Sequence, residues 1–320
     1  MEYKRFSEAQ VGTVIKRPAL VSQISENMTK TGDKFCKVTL QDGENSVVAL
    51  MFNTDKTMLE EDGIFECTVV DSEVAVSDYR GTKSFKIIRL SACQNQDDIS
   101  KFIKMPPIDC EVMFQDIIDM LRASSGARTN MSLADFTIAM LTERHDDFIH
   151  SSAAVSMHHN LKGGLVYHTY RMMQTAQKIC DVYTELDKEL LLCATALHDI
   201  GKIQEYNTSM VGEAKRTPDG VLFGHLIIGI VEIEKMQEKL QCADTERIRL
   251  LEHMIAAHHG TNEWGTIMPP AIPEAFVLHY IDNMDAKIYM YNNLTADILA
   301  GEVTEQKPFG LDNRLYKPVR

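Results

Sequence analysis

Apolar and polar positions alternate in two different ways along this chain. Up to about residue 95, apolar residues recur at short spacing within brief segments closed by Gly and Asp turns, a pattern that predicts strands. The segments are Val11–Ile24, Lys34–Leu40, Ser46–Phe52, Ile64–Val70 and Lys83–Leu90, with Gln41-Asp42-Gly43 and Asp78–Gly81 as turns. Five short strands with almost no helical periodicity predict a small barrel, OB-like first and SH3-like as the alternative. The polar stretch Gln94–Ser100 and the pair Pro106-Pro107 then mark a boundary. Beyond it the period lengthens to that of helices. Cys110–Ala123, Leu133–Phe148, Gly163–Thr184, Asp187–Ile200, Gly224–Leu240, Asp244–His258 and Ile272–Ala300 are the expected helices. Residues 207–224 and 260–270 read as loops. The fold class is therefore a multidomain β + α chain, an OB-like barrel followed by an all-α bundle. The expected divisions are 1–95 for the barrel, 96–150 for a helical linker, 151–300 for the main helical domain and 301–320 for an irregular tail.

Composition narrows the function. A net charge of −13 argues against coating nucleic acid through bulk electrostatics. It leaves room for a strand held locally by a few cations, aromatic stacking and a metal. Residues 1–100 carry twelve Lys/Arg against sixteen Asp/Glu, so the barrel is not basic as a whole. Its strands nevertheless offer Phe35, Phe52, Tyr79 and Phe85 for stacking, with Lys30, Lys34, Lys37, Arg80 and Lys83 near a backbone. The competing reading makes these aromatics barrel core and these lysines solvated edges. Seven scattered cysteines without a CxxC pair read as reduced thiols. No apolar run approaches the ~20 residues of a membrane span, and the first ten residues lack a signal-peptide core, so the expected location is cytoplasmic.

The chemistry concentrates in Cys193–Lys202, CATALHDIGK. An apolar helical run ends in an adjacent His198–Asp199 pair followed by Gly201, where a helix can stop, and by Lys202. Further His and Asp residues lie on apolar helical segments, where a polar group is costly without a partner. His168, His198 with Asp199, His225, His258 with His259, and Asp282 come from five segments some 24–33 residues apart. That interval is one helix plus one connection, so a bundle can bring one ligand per helix to a common point. Any one of these histidines alone reads as a core or surface residue. The ordered set reads as a metal centre. Its N/O donors favour Mn²⁺, Fe, Co, Ni or Mg²⁺ over structural zinc, and Asp199 could bridge two ions. His145, His150, His253 and His279 fall outside the set.

The order H…HD…H…HH…D, with HDIGK intact, resembles the HD-domain metal-dependent phosphohydrolases. MHHNLKGGLVYHT (157–169), LHDIGK (197–202), FGH (223–225), HHGTNEWG (258–265) and LHYIDNMDAK (278–287) are similar to the YhaM-type 3′–5′ exoribonucleases. KTGDKFCKVTLQD (30–42) and LDNRLYKP (311–318) extend the likeness to the barrel and tail. The resemblance implies a metal-dependent exonuclease that releases nucleoside monophosphates from single-stranded RNA, with single-stranded DNA as a further substrate. It implies two divalent ions, Mn²⁺ first, with His168, His198, Asp199, His225, His258 and Asp282 as ligands. His259 is then a further ligand or a phosphate contact, and Lys202 a cation beside the scissile phosphate. Asp199, Lys202 and His259 carry the catalysis on this reading. His158, His159, Asn160 and Trp264 line the substrate path, together with Lys30, Lys34, Phe35 and Lys37 on the barrel. The partners are single-stranded RNA, no membrane, and a second copy of the chain as an open question. Three other readings stay open: an HD phosphohydrolase of nucleotides or cyclic dinucleotides, a di-iron oxygenase, and a nucleic-acid-binding module with an inactive HD domain.

Overall fold

In a computed structural model, residues 5–79, 82–93, 99–126, 131–153, 161–212, 214–241, 244–296, 298–308, 310–311 and 313–320 are described, apart from the side chain of Ser100. The chain forms two compact units, Met1–Met105 and Pro106–Arg320.

The first unit is a closed barrel of five strands: β1 (Val14–Met28), β2 (Lys34–Gln41), β3 (Ser46–Phe52), β4 (Val69–Tyr79) and β5 (Thr82–Ala92), in the order β1-β2-β3-β5-β4. Closure depends on the length of β1. Its first half pairs with β4 and its second with β2, and a register shift between Val21 and Gln23 turns it from one neighbour to the other. Period-two alternation sends Cys36, Val38 and Leu40 inward with Val70, Val74 and Val76, while Lys37 and Asp71 face solvent. The sequence reading places the fourth strand too early, at Ile64–Val70. Ile64 instead closes one end of the barrel core, and Cys67 turns the chain with φ 69° before β4 begins. A short helix, α1 (Lys56–Glu61), capped by Asp55 and burying Leu59, occupies the β3–β4 connection, where the sequence pattern predicts no helix.

The second unit is helical: α2 (Cys110–Ser124), α3 (Leu133–Glu143), α4 (His145–His150), α5 (Gly164–Val182), α6 (Lys188–Leu197), α7 (Lys202–Glu205), α8 (Pro218–Leu222), α9 (Gly224–Leu240), α10 (Thr245–Ala257) and α11 (Pro273–Leu294). The expected Leu133–Phe148 helix is two helices, broken at Arg144, whose backbone leaves helical geometry. The expected loop 207–224 holds a small hairpin, β6 (Tyr206–Thr208) with β7 (Ala214–Arg216), as well as α8. The last helix ends at Leu294 rather than Ala300. At the centre lies α6, buried on every side from Glu189 to Leu197 and packed against α2, α3, α5, α10 and α11. Asp187 caps it by accepting from the Leu190 amide. Side chains of α2, α3 and α4 share one apolar core with α5, α6 and α10. No helix among the described residues is long and apolar enough to cross a membrane.

Candidate metal centre

Helix ends do most of the positioning. His198 and His258 occupy the C-caps of α6 and α10, and the two use the same local device. Each donates from Nδ1 to the carbonyl three residues back, Thr195 O at 2.9 Å and Ile255 O at 2.8 Å. Those carbonyls would otherwise be orphans of the last helical turn. With Nδ1 protonated, Nε2 is the bare nitrogen, and it points into the bundle. Carboxylates orient two more rings. His168 of α5 meets Asp285 Oδ2 at 2.8 Å, and Asp285 Oδ1 is held by Arg171 Nε at 2.8 Å. His225, at the start of α9, meets Glu205 Oε2 at 2.8 Å through Nδ1. Histidines held at one nitrogen by a carboxylate or a backbone carbonyl are the usual arrangement around a bound metal.

The nitrogens so directed fall into two sets with one residue between them. His168, His198 and Asp282 converge on one point, and His225, His258 and His259 on another. Asp199 faces both. Its Oδ2 lies 3.2 Å from His198 Nε2 and 3.9 Å from His168 Nε2, while Oδ1 lies 3.5 Å from His225 Nε2 and 3.8 Å from His258 Nε2. Among the described residues no hydrogen bond satisfies Asp199 Oδ1 or His258 Nε2, although both atoms are buried. Buried polar atoms are rarely left so without a reason. Two histidine pairs also set Nε2 against Nε2 at 3.3 Å, His168 with His198 and His225 with His259. Lone pairs gathered this way suit a cation, so the residues present fit two divalent ions that share Asp199.

The electrostatics agree for Asp199, Asp282, His258 and His259, whereas His168 binds a cation only by giving up a proton. Burial disfavours a charged Asp199, but Lys202 and His198 outweigh it and hold this carboxyl well below its usual range. Asp282 is half-buried; desolvation disfavours its charge, but its hydrogen bond to His168 outweighs this and holds the carboxyl low. Burial pushes His258 well down and His259 down to about 4, with neighbouring imidazoles adding to the effect. Both rings are therefore neutral at pH 7 and able to donate a lone pair. Burial also disfavours a charged His168, but its bonds to Asp282 and Asp285 prevail and raise it to about 9.

The remaining sequence-derived residues lie in different places. Lys202 is buried, with Nζ 2.7 Å from Asp199 Oδ2, so its charge is committed first to that carboxylate while it also lines the cavity above. Gly201 does not end the helix through a left-handed backbone, as its position suggested, since its φ is −64°. Its role is close approach: a Cβ there would sit 2.1 Å from the carbonyl oxygen of His225. Trp264 is 52% exposed, tilted over His279 at 5.6 Å between ring centroids, with Lys287 Nζ 5.6 Å from its ring. His279 donates from Nδ1 to His258 O at 2.9 Å and so steadies the turn that carries two candidate ligands. His158, His159 and Asn160 lie outside the described residues. On the barrel, Phe35 stacks on Phe52 at 5.7 Å, and Lys86 Nζ lies 5.4 Å from the Phe52 ring. Lys37 is exposed two residues along β2 from Phe35 and Lys30 is exposed in the β1–β2 connection, whereas Lys34 is engaged by Glu26 at 3.2 Å and Asp55 at 3.1 Å. Phe85 is half-buried, packed against the barrel core with an edge contact to Phe6. Asp285 and Glu205 escaped the sequence reading. A carboxylate one helical turn after Asp282 was the available signal for the first, and Glu205, placed by the α7 turn, gave none.

Barrel and bundle together define a two-unit chain whose helical part gathers imidazoles and carboxylates into clusters that could hold a metal. Residues 165–287 match the family model of the HD domain. That span opens three residues before His168 and closes five after Asp282, so every residue of the two sets falls inside it. HD domains are typically metal-dependent hydrolases.

Proposed function

We propose that this chain is a metal-dependent phosphodiesterase that shortens single-stranded RNA from its 3′ end. The observation that carries the reading is Asp199, placed between two imidazole-rich sets with one oxygen toward each. His168, His198, Asp199 and Asp282 would hold one divalent ion, and Asp199, His225, His258 and His259 the other. Bound there, two such ions supply an activated water and neutralise charge on the attacked and leaving oxygens. The protein's own part is to fix the donors. Thr195 O, Ile255 O, Asp285 and Glu205 lock the rings, and Lys202 keeps Asp199 ionised. The cavity above Asp199 and Asp282 is about 1150 Å³ and has Trp264 at its side, large enough for a nucleotide with room for its neighbour. RNA as substrate draws support from the barrel, where Phe35 and Phe52 present a stacked aromatic pair beside Lys37 and Lys86. Mn²⁺ is the metal this reading places first.

A time course on 5′-labelled single-stranded RNA tests it. With Mn²⁺ the expected product is a ladder shortening one nucleotide at a time, absent in EDTA and in Asp199→Ala. RNA left intact while a cyclic dinucleotide is hydrolysed would move the assignment to a small-molecule phosphohydrolase.

A further inference from the structure

The cavity wall carries cations that the metal chemistry does not need. Besides Lys202, it is lined by Arg216, Lys287 and Lys307. Arg216 is partly committed, with Nε 3.6 Å from Glu205 Oε1. Lys287 and Lys307 form no ion pair with a carboxylate among the described residues. Lys287 rests its ammonium 5.6 Å from the Trp264 ring, and ammonium groups with no carboxylate partner facing one cavity in a chain of net charge −13 call for an anionic occupant.

Position separates them from the metal centre. Asp282, Asn283, Ala286, Lys287 and Met290 share one face of α11 and all line the cavity. Lys287 therefore stands five residues beyond Asp282, about 7.5 Å farther along the helix axis. Lys307 comes from the C-terminal segment, which folds back as a strap. Gly301 N donates to Lys317 O at 2.8 Å, Lys317 N to Glu302 O at 2.9 Å and Thr304 N to Leu315 O at 2.8 Å. Tyr291 of α11 ties the strap down through its hydroxyl to Tyr316 O at 2.8 Å. The strap's tip, with Lys307 and Leu311, closes one side of the cavity.

We propose that Lys287 and Lys307 form a second phosphate subsite beside the metal centre, so that the cavity takes the end of a strand through two consecutive phosphates with its terminal base against Trp264. This rests on the exonuclease reading above and adds to it the residues that hold the strand's second phosphate. Both lysines are then substrate-positioning residues.

The full chain, loaded with Mn²⁺, is assayed on a single-stranded oligoribonucleotide and on bis(p-nitrophenyl) phosphate, which has one phosphodiester only. For Lys287→Gln and Lys307→Gln the ratio of kcat/KM between oligonucleotide and small ester falls about tenfold each, the size of one lost charge-assisted contact. The slope of log(1/KM) for the oligonucleotide against log salt becomes shallower by roughly 0.7 per lysine removed. In EDTA the affinity for a labelled trinucleotide falls in parallel, and Lys287→Arg restores most of it. An unchanged ratio and slope, while the wild type still shortens RNA, overturn the subsite alone. Equal losses on both substrates also overturn it, because they mark a structural role. A wild type that hydrolyses the small ester but leaves oligonucleotides intact overturns both the subsite and the exonuclease reading.

Discussion

At the scale of single residues, the groups behind the ligands are as informative as the ligands. Asp285 meets His168 of one set at 2.8 Å, and Glu205 meets His225 of the other at 2.8 Å. The two carboxylates can therefore be weakened one at a time. Asp285→Asn leaves His168 facing an amide in place of a charge, which lowers the basicity of its ring and loosens its orientation. Glu205→Gln does the same to His225. Removing such partners typically costs 10–100-fold in metal affinity. Equilibrium dialysis against Mn²⁺ is expected to show two sites in the wild type. In each variant one of them weakens by about that factor while the other is nearly kept. If both sites weaken equally in both variants, the ions do not divide along the two sets. The sequence announced His168, His198, Asp199, His225, His258, His259 and Asp282 because seven metal-type side chains on apolar helices have no cheaper explanation. It could not announce Thr195 or Ile255, whose contribution is a backbone carbonyl and leaves no trace in residue type.

Elements bring these residues together, and a close approach joins the α6–α7 corner to α9. Gly201 permits it: a Cβ at that position would stand 2.1 Å from His225 O and 2.7 Å from the Gly229 amide nitrogen. Both are backbone atoms of α9 and cannot yield as a side-chain tip would. Gly201→Ala must push the start of α9 outward, and with it His225. The expected cost is about 1–3 kcal/mol of stability, as for other overpacked positions. It is accompanied by selective loss of the ion on the His225 side, whereas the His168 side stays occupied. Thermal unfolding and Mn²⁺ stoichiometry measured on one preparation check this, and a stable variant that keeps both ions would dismiss the argument. The element scale is also where reading from sequence was uneven. The long helices showed themselves because each has a wide apolar face, and α6 because it is apolar all round. The fourth strand was misplaced because Ile64–Val70 reads as one strand-like stretch, and the backbone turn at Cys67 leaves no mark in residue type. Helix α1 went unseen because six residues burying a single leucine carry no periodicity. Arg144 broke an amphipathic stretch whose pattern continues across the break.

At the scale of the whole molecule, the proposed function assigns chemistry and grip to separate units, each with its own core. The barrel closes on Val38, Leu40 and Val74, and the bundle on the helices around α6. A strongly acidic chain cannot hold RNA by its overall field. Contact has to be local, through aromatic faces flanked by a few lysines, and the barrel has such a place at Phe35, Phe52, Lys37 and Lys86. The helical unit alone, residues 106–320, retains its core and every residue of both candidate ion sets. It is expected to fold and to hydrolyse bis(p-nitrophenyl) phosphate within a few-fold of the full chain. On long single-stranded RNA its KM should rise by roughly 10–100-fold, because base stacking contributes about 1–3 kcal/mol per base. The loss should shrink as the substrate is cut to two or three nucleotides, which the cavity beside Asp282 and Trp264 can hold without the barrel. Replacing Phe35 and Phe52 with alanine in the full chain should reproduce most of the effect on long RNA and none on the small ester. If the truncated enzyme keeps its KM at every length, the barrel serves some purpose other than gripping the strand.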